Sequence, residues 1–220
     1  MSSFAFLEQL WGARYVILSG LGTTVSISLL AIVAGSLFGV FVGLALVYGG
    51  RVLRLVVRAY TDIIRGTPVL VLVLASYYVS AAAGIDLGPF SAGILALAVF
   101  CSSHIGEIVR GALQAIPKGQ TEAAKAIGLT FSQTFTSVLW PQALRQCLPA
   151  WVNTAAEMVK ASTLLSVIGV AELLLRTQEI ISRNFMSLQF YFLAGALYFI
   201  VNFGIERLGK YVERKTALPS

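Results

Sequence analysis

Long apolar runs alternate with short polar segments along this 220-residue chain. A helix needs about 20 apolar residues to cross the hydrocarbon core of a bilayer, and several windows reach that length. The stretches without a charged residue are 15–50, 66–85, 87–106, 126–144 and 184–205. The pattern predicts an all-α membrane protein with about five transmembrane helices.

The first apolar run predicts a spanning helix from about Tyr15 to Tyr48, which is longer than a bilayer requires and must tilt or protrude. Within it, Gly35, Gly39 and Gly43 recur every four residues, a strip that lets a neighbouring helix pack backbone to backbone. Residues 1–14 mix aromatic, apolar and polar side chains, and we expect a short interfacial helix there. We expect residues 15–210 to form a single transmembrane domain, followed by a basic tail over residues 211–220.

Prolines and polar segments divide the remaining runs. An amphipathic segment, 51–60, precedes Pro68, which predicts a kink or a restart. The next helices are expected over about 90–116 and, after a polar interval, from a cap at Thr130 or Ser132 towards Pro141. A further segment is expected at about 146–168, then a mixed outer region over 169–188 and a last helix over about 189–208.

Composition supports the membrane assignment. The chain is 57% hydrophobic and 12% charged, with a mean hydropathy of +0.83, whereas soluble domains carry about 25% charged residues. Its net charge of +6 does not indicate a nucleic-acid partner, because the basic residues collect at the predicted helix ends. Cys101 and Cys147 fall in or beside different apolar segments, and we interpret both as small core residues.

The distribution of basic residues predicts the orientation. With five crossings, one end carries nine lysines and arginines, and the other carries three. The nine are Arg51, Arg54, Arg58, Lys118, Lys125, Arg207, Lys210, Arg214 and Lys215, and the three are Arg14, Arg176 and Arg183. The positive-inside rule then places the N-terminus outside the cell and the C-terminus in the cytoplasm.

The segment from Lys118 to Gly128 is a polar island between two apolar regions. Pro117 disfavours a helical residue before it, and Gly128 can adopt the left-handed conformation that closes a helix. Three alanines between them keep the intervening helix thin. These properties suit a helix that docks against another protein.

Several ordered motifs resemble the polar amino acid permease family of ABC importers, the histidine/glutamine type. The coupling motif of that family matches Glu122, Ala123, Ala124 and Gly128, with Gly119 in the same segment. The runs Glu107-Ile-Val-Arg-Gly111 before it and Trp140-Pro-Gln-Ala-Leu-Arg145 after it match as well, as does Arg65-Gly-Thr-Pro68. The resemblance covers nearly the whole chain, from about residue 18 to residue 213.

The resemblance implies the type I ABC importer fold, with a coupling helix at about 118–129. It implies a cytoplasmic ABC ATPase dimer that binds ATP and Mg, with no cofactor in this chain. It also implies a second permease subunit, identical or paralogous, an extracytoplasmic substrate-binding protein, a polar amino acid as substrate, and the bacterial inner membrane as the location.

Three acid–base pairs lie in or near apolar segments at a spacing of three residues, which puts both members on one helix face. They are Asp62 with Arg65, Glu107 with Arg110, and Glu157 with Lys160. A lone charge in the bilayer costs about 2.5–3.5 kcal/mol or more, so we expect each pair to neutralise itself. Such faces can line a translocation path, or they can only fix helix packing.

The candidate residues for a substrate path or gate are polar groups on the third helix and on the 146–168 segment. They are Ser103, His104, Glu107, Arg110, Glu157, Lys160, Ser162 and Thr163. Two positions depart from the family. Lys160-Ala-Ser-Thr-Leu164 lacks the usual acidic residue after the lysine, and His104 replaces an aromatic residue. His104 can bind a substrate carboxylate or hydrogen bond to a neighbouring helix.

Other function classes fit less well. The chain has no Gly-x-x-x-x-Gly-Lys-Ser/Thr loop to bind ATP phosphates, and its single histidine excludes a His-Glu-x-x-His metal site. We therefore expect a non-catalytic membrane subunit. The alternative is an oligomeric ion channel or proton-coupled carrier that uses the membrane carboxylates, but it leaves the 118–128 segment unexplained.

Overall fold

The computed structural model describes residues 3–216, and the secondary structure of that part is entirely helical. We number eight helices in chain order: α1 Ser3–Tyr48, α2 Arg51–Gly66, α3 Val69–Ala82, α4 Pro89–Ala115, α5 Lys118–Ala126, α6 Phe131–Ile168, α7 Leu173–Asn184 and α8 Ser187–Thr216. α1, α4 and α8 are each long and apolar enough to span a membrane, and the bent pairs α2–α3 and α6–α7 bring the number to five. The prediction of about five spans is confirmed.

α1 and α4 pack against each other along the predicted glycine strip. A Cβ atom at Gly35 would lie 2.5 Å from the Cys101 Cβ, and one at Gly39 would lie 2.6 Å from the Ile105 Cβ. One at Gly43 would lie 2.8 Å from the Gly106 carbonyl oxygen. Only glycine permits so close an approach, so the backbone-to-backbone contact predicted from the sequence is confirmed.

α2 and α3 meet at a sharp bend of 109°. Pro68 lies at the bend, where the extended backbone of Thr67 ends α2 and α3 begins at Val69. The restart predicted from Pro68 is thus confirmed. α3 contains a π-helical turn at Ala75–Val79, and the loop after it leads directly into α4.

α6 differs from the prediction of two separate segments, because it continues through both prolines. Pro141 stands in the first turn of its α-helical part, directly after a π-helical turn at Phe135–Leu139. The hydrogen-bond pattern changes there, so the missing proline N–H is tolerated. Pro149 lies inside the helix, as membrane helices allow. The last turns of α6, Ser162–Ile168, narrow to a 3₁₀ helix.

Three further boundaries also differ from prediction. The segment 1–14 is not a separate helix in its described part, because α1 starts at Ser3 and continues through Arg14 without a break. The region 169–188, for which only a mixed outer region was predicted, contains the helix α7. α8 continues to Thr216, so the described part of the predicted tail 211–220 is helical. Both cysteines are buried, as expected.

We predict that Gly39→Ala destabilises the chain by about 1–3 kcal/mol, because the new methyl group would overlap the Ile105 side chain. The matched control is Gly22→Ala on the same helix, where an added Cβ meets no atom within 4 Å of the described structure. Thermal unfolding in detergent compares the two variants. Equal melting temperatures would show that the α1–α4 contact tolerates a side chain.

A candidate coupling helix and a buried charge cluster

α5 is a short helix closed at both ends by local geometry. The extended backbone of Pro117 (φ −57°, ψ 136°) precedes it, and Gly128 follows it at φ 81°. The Leu129 N–H donates to the Ala124 carbonyl and the Gly128 N–H donates to the Lys125 carbonyl, each at 3.0 Å. This is the Schellman arrangement, which satisfies the last carbonyls of a helix. The helix break at Pro117 and the left-handed Gly128 are confirmed as predicted.

Most of α5 is exposed. Glu122, Ala123 and Gly119 all face out, and Ile127 just beyond the helix is 77% exposed. Ala124 is the exception at 4%, because it packs inward against the rest of the chain. The helix therefore presents a surface of small side chains that also carries one carboxylate, Glu122, and two ammonium groups, Lys118 and Lys125.

Aromatic residues join the start of α6, just after α5, to the end of α1. The Tyr48 ring at the end of α1 meets the Phe131 and Phe135 rings edge-on, at 5.3 Å and 5.9 Å between centroids. Phe135 stacks on Trp140 at 5.7 Å. Thr130 forms a reciprocal capping box with Gln133, which fixes the start of α6 four residues after α5 ends. Of the two predicted caps, Thr130 is the one used.

The predicted pair Glu107–Arg110 belongs to a larger cluster that joins α4 to α2. Arg110 donates to the Glu107 Oε2 atom from Nη2 at 2.6 Å and from Nε at 2.9 Å. Arg58 donates to Oε1 at 2.9 Å, and Arg65 approaches Oε2 at 3.9 Å. The Glu107 side chain is only 12% exposed. One nearly buried carboxylate thus holds three guanidinium groups from two helices.

The other two predicted pairs are not made within the described residues. Arg65 turns towards Glu107, which leaves Asp62 exposed and without an ion pair there. Glu157 and Lys160 both project from the exposed surface of α6 rather than towards each other. The expectation that each pair neutralises itself is wrong for these two.

The remaining candidates for the substrate path are described by the hydrogen bonds that their side chains already make. The hydroxyl groups of Ser103, Ser162 and Thr163 donate to carbonyls of their own helices at 2.7–2.8 Å. His104 places Nδ1 3.1 Å from the Phe100 carbonyl of its own helix, and within the described residues it makes no hydrogen bond to a neighbouring helix. Its imidazole ring packs on Phe100 at 4.3 Å.

Sequence reasoning missed a buried carboxylate at the other end of the bundle. Glu172 is fully buried and caps α7, accepting the N–H groups of Leu174 and Leu175 at 2.9 Å and 2.8 Å. The Tyr198 hydroxyl of α8 donates to it at 2.5 Å. The available signal was an acidic residue directly before an apolar run, which favours a helix N-cap.

The fold matches solved transporters over its whole length. A crystal structure of an amino acid ABC transporter with histidines superimposes with a TM-score of 0.89 at 32% identity, covering 98% of this chain and 99% of that one. An inward-facing structure of the MetNI methionine ABC transporter has the same fold, with a TM-score of 0.80 at 23% identity over 99% and 100% of the two chains. The fold therefore defines the class: a type I ABC importer permease.

The chain belongs to the family of binding-protein-dependent transport system inner membrane components, whose model matches residues 31–218. The glutamine transport system permease protein GlnP of Escherichia coli (strain K12) is 34% identical over 210 residues, covering 94% of this chain and 96% of the relative. The resemblance to amino acid ABC permeases is confirmed.

We predict that Glu107→Gln destabilises the protein by on the order of 2 kcal/mol, because it leaves three guanidinium groups without their carboxylate. The matched control is Glu179→Gln, which breaks an exposed three-residue-spaced pair with Arg176 and should cost less than about 1 kcal/mol. Thermal unfolding in detergent measures both. A smaller loss for Glu107→Gln than for the control would contradict the structural role of the cluster.

Proposed function

We propose that this chain is the permease subunit of an ATP-driven, binding-protein-dependent importer of polar amino acids in a bacterial inner membrane. The observation that carries the proposal is α5, a capped and exposed helix of small residues between two spans. A helix with this shape suits a groove on a separate ATPase subunit. ATP and Mg are bound by that partner, and the permease contributes the docking surface and the path.

The bundle supports a cytoplasmic position for α5. The Tyr48 end of α1, near Arg51 and Arg54, contacts the residues that follow α5. The first half of α1 packs on α7, and near the middle of α1 the Leu173 N–H donates to Thr24 at 3.1 Å. Most of the basic residues thus lie at the α5 end, which by the positive-inside rule faces the cytoplasm, where ATP is available.

The exposed surface of α6 supports a second permease subunit. Gln146, Asn153, Glu157 and Lys160 are all exposed in the single chain, and at 3.6 residues per turn they lie within about 60° of one another. Polar and charged residues in a spanning helix face protein or water rather than lipid. We refer to these four residues as the polar stripe of α6.

The polar stripe is the best-placed part of the predicted path. A zwitterionic substrate carries one negative and one positive group, and Lys160 and Glu157 can each bind one of them. Both side chains are exposed and neither makes an ion pair in the described chain. The Glu107 cluster, by contrast, is occupied by its own arginines, which fits a role in packing α2 against α4.

The coupling mechanism follows from this arrangement. ATP binding draws the two ATPase subunits together. Each ATPase subunit moves the α5 helix of the permease subunit that is docked on it. The movement of α5 rotates the permease halves and opens the path to the outside, where the binding protein delivers the amino acid. ATP hydrolysis resets the assembly.

We predict that Glu122→Arg abolishes ATP-driven uptake and weakens co-purification of the ATPase, because it reverses the charge on the docking surface. Membrane insertion should be unchanged, since Glu122 is exposed. Glu8→Arg, at an exposed site on the opposite end of α1, is the matched control and should keep its ATPase. Uptake at the wild-type rate with Glu122→Arg would reject the coupling assignment.

We predict that Gly128→Val also abolishes ATP-driven uptake, because a β-branched residue is strained at a φ of 81° and disrupts the end of α5. Gly84→Val places the same strain in the α3–α4 loop, at φ 80°, and should retain uptake. Uptake into proteoliposomes is compared for both variants with and without ATP. Substrate accumulation by the permease alone, driven by a proton gradient, would instead establish the carrier alternative.

We predict that Glu157→Gln and Lys160→Gln each lower uptake at limiting substrate by about tenfold, the cost of one lost charge-assisted hydrogen bond. The amount of ATPase that co-purifies should stay constant, because both residues lie far along α6 from α5. Glu206→Gln, an exposed carboxylate on α8, serves as the control. Unchanged uptake in both α6 variants would remove the polar stripe from the path.

A further inference from the structure

An apolar groove of about 380 Å³ runs between α1, α6 and α8. On α6 it is lined from Leu148 to Val159 and on α8 from Val201 to Val212, so it extends about 16 Å parallel to the helix axes. Its one polar side chain is Ser28, whose hydroxyl group is buried and has no hydrogen-bond partner among the described residues. The groove therefore offers contacts to hydrocarbon and almost nothing to a polar amino acid.

The groove lies on the side of α6 away from the polar stripe. Leu148, Val152 and Ala155 line it, and at 100° per residue they point about 160–240° away from Gln146 and Glu157. α8 lies on the other side of the groove, and only 11% of its apolar window is buried within the chain. Val152 and Ala155 are buried within the chain, whereas the groove residues Leu29 of α1 and Leu208 of α8 are 58% and 67% exposed, so the groove is open to the bilayer along α1 and α8.

Basic residues stand one turn beyond the groove at its α5 end. Lys215 follows Val212 by three positions on α8, and Arg145 precedes Leu148 by three positions on α6. Both are exposed, and the Lys215 ammonium group lies 4.8 Å from the centre of the Tyr211 ring. Over residues 206–215, α8 carries four cations and two carboxylates, so the excess charge at this end is positive.

We propose that this groove binds an anionic phospholipid of the surrounding bilayer, with an acyl chain along α1, α6 and α8 and its phosphate at Arg145 and Lys215. The groove supplies apolar area at the depth of the acyl chains, and the two cations supply charge at the depth of the headgroup. Each cation near an anionic headgroup contributes about a fivefold gain in affinity. The groove is separate from the polar stripe, and lipid binding there does not depend on the proposed transport cycle.

The test compares phosphatidylglycerol with phosphatidylethanolamine of the same acyl chains. Native mass spectrometry measures the binding of each lipid to the permease purified with its accompanying subunits. Phosphatidylglycerol should bind more tightly than phosphatidylethanolamine. The double variant Arg145→Gln, Lys215→Gln should lower the ratio of the two affinities by about fivefold for each cation removed. The control, Lys210→Gln with Arg214→Gln, removes two exposed cations from the opposite side of α8 and should leave the preference intact.

A second variant tests the groove itself. Leu208→Trp adds bulk to a lining residue that is 67% exposed, so it should fill the groove without unfolding α8 and weaken both lipids alike. A photo-crosslinking residue at position 208 should label lipid. If the control pair lost as much of the preference for phosphatidylglycerol as Arg145→Gln with Lys215→Gln, the preference would come from diffuse surface charge. A crosslink from position 208 to a second permease chain would show that protein covers the groove. Either result overturns the proposal.

Discussion

The close contact between α1 and α4 is the interaction on which the rest of the chain depends. Apolar side chains gain little by leaving lipid for one another, so membrane helices associate mainly through tight packing. The strip at Gly35, Gly39 and Gly43 brings the two backbones together over about two and a half turns. α1 also contacts other elements on both sides of this strip, since Tyr48 contacts the residues after α5 and Thr24 accepts a hydrogen bond from the start of α7.

Polar groups inside this bundle are placed where other elements satisfy them. Glu107 on α4 forms ion pairs with Arg58 of α2 and with Arg110 of its own helix. The pair with Arg58 holds α2 against α4, and α3 then leaves α2 at a bend of 109°. Glu172 makes no ion pair with a basic residue of the part of the chain that the structure describes; instead it accepts hydrogen bonds from the first turn of α7 and from Tyr198. The two carboxylates thus join helices at opposite ends of the bundle by different means.

The spans and the polar segment around α5 could be predicted from the sequence because each depends on local signals. Apolar length defines the spans, Pro117 and Gly128 define the ends of α5, and the glycine spacing defines the α1–α4 contact. Pairing between distant charges could not be predicted in the same way. Arg65 is three residues from Asp62 but reaches Glu107, because the bend at Pro68 and the packing of α2 on α4 decide which carboxylate is near. The continuity of α6 through Pro141 could not be predicted either, because it depends on a π-helical turn that no residue pattern indicated.

The connection between α5 and α6 explains how a small docking helix can act on a whole permease half. Only residues 127–130 separate the two helices, and the Schellman turn and the Thr130 capping box hold this link at both ends. Shortly after this link, the Phe135 ring packs against the rings of Tyr48 and Trp140. Further along, Trp151 donates a hydrogen bond to Ser36 of α1 at 2.8 Å. In the proposed cycle, a force applied to α5 would therefore reach α6 and α1 together, and the polar stripe on α6 would move with them.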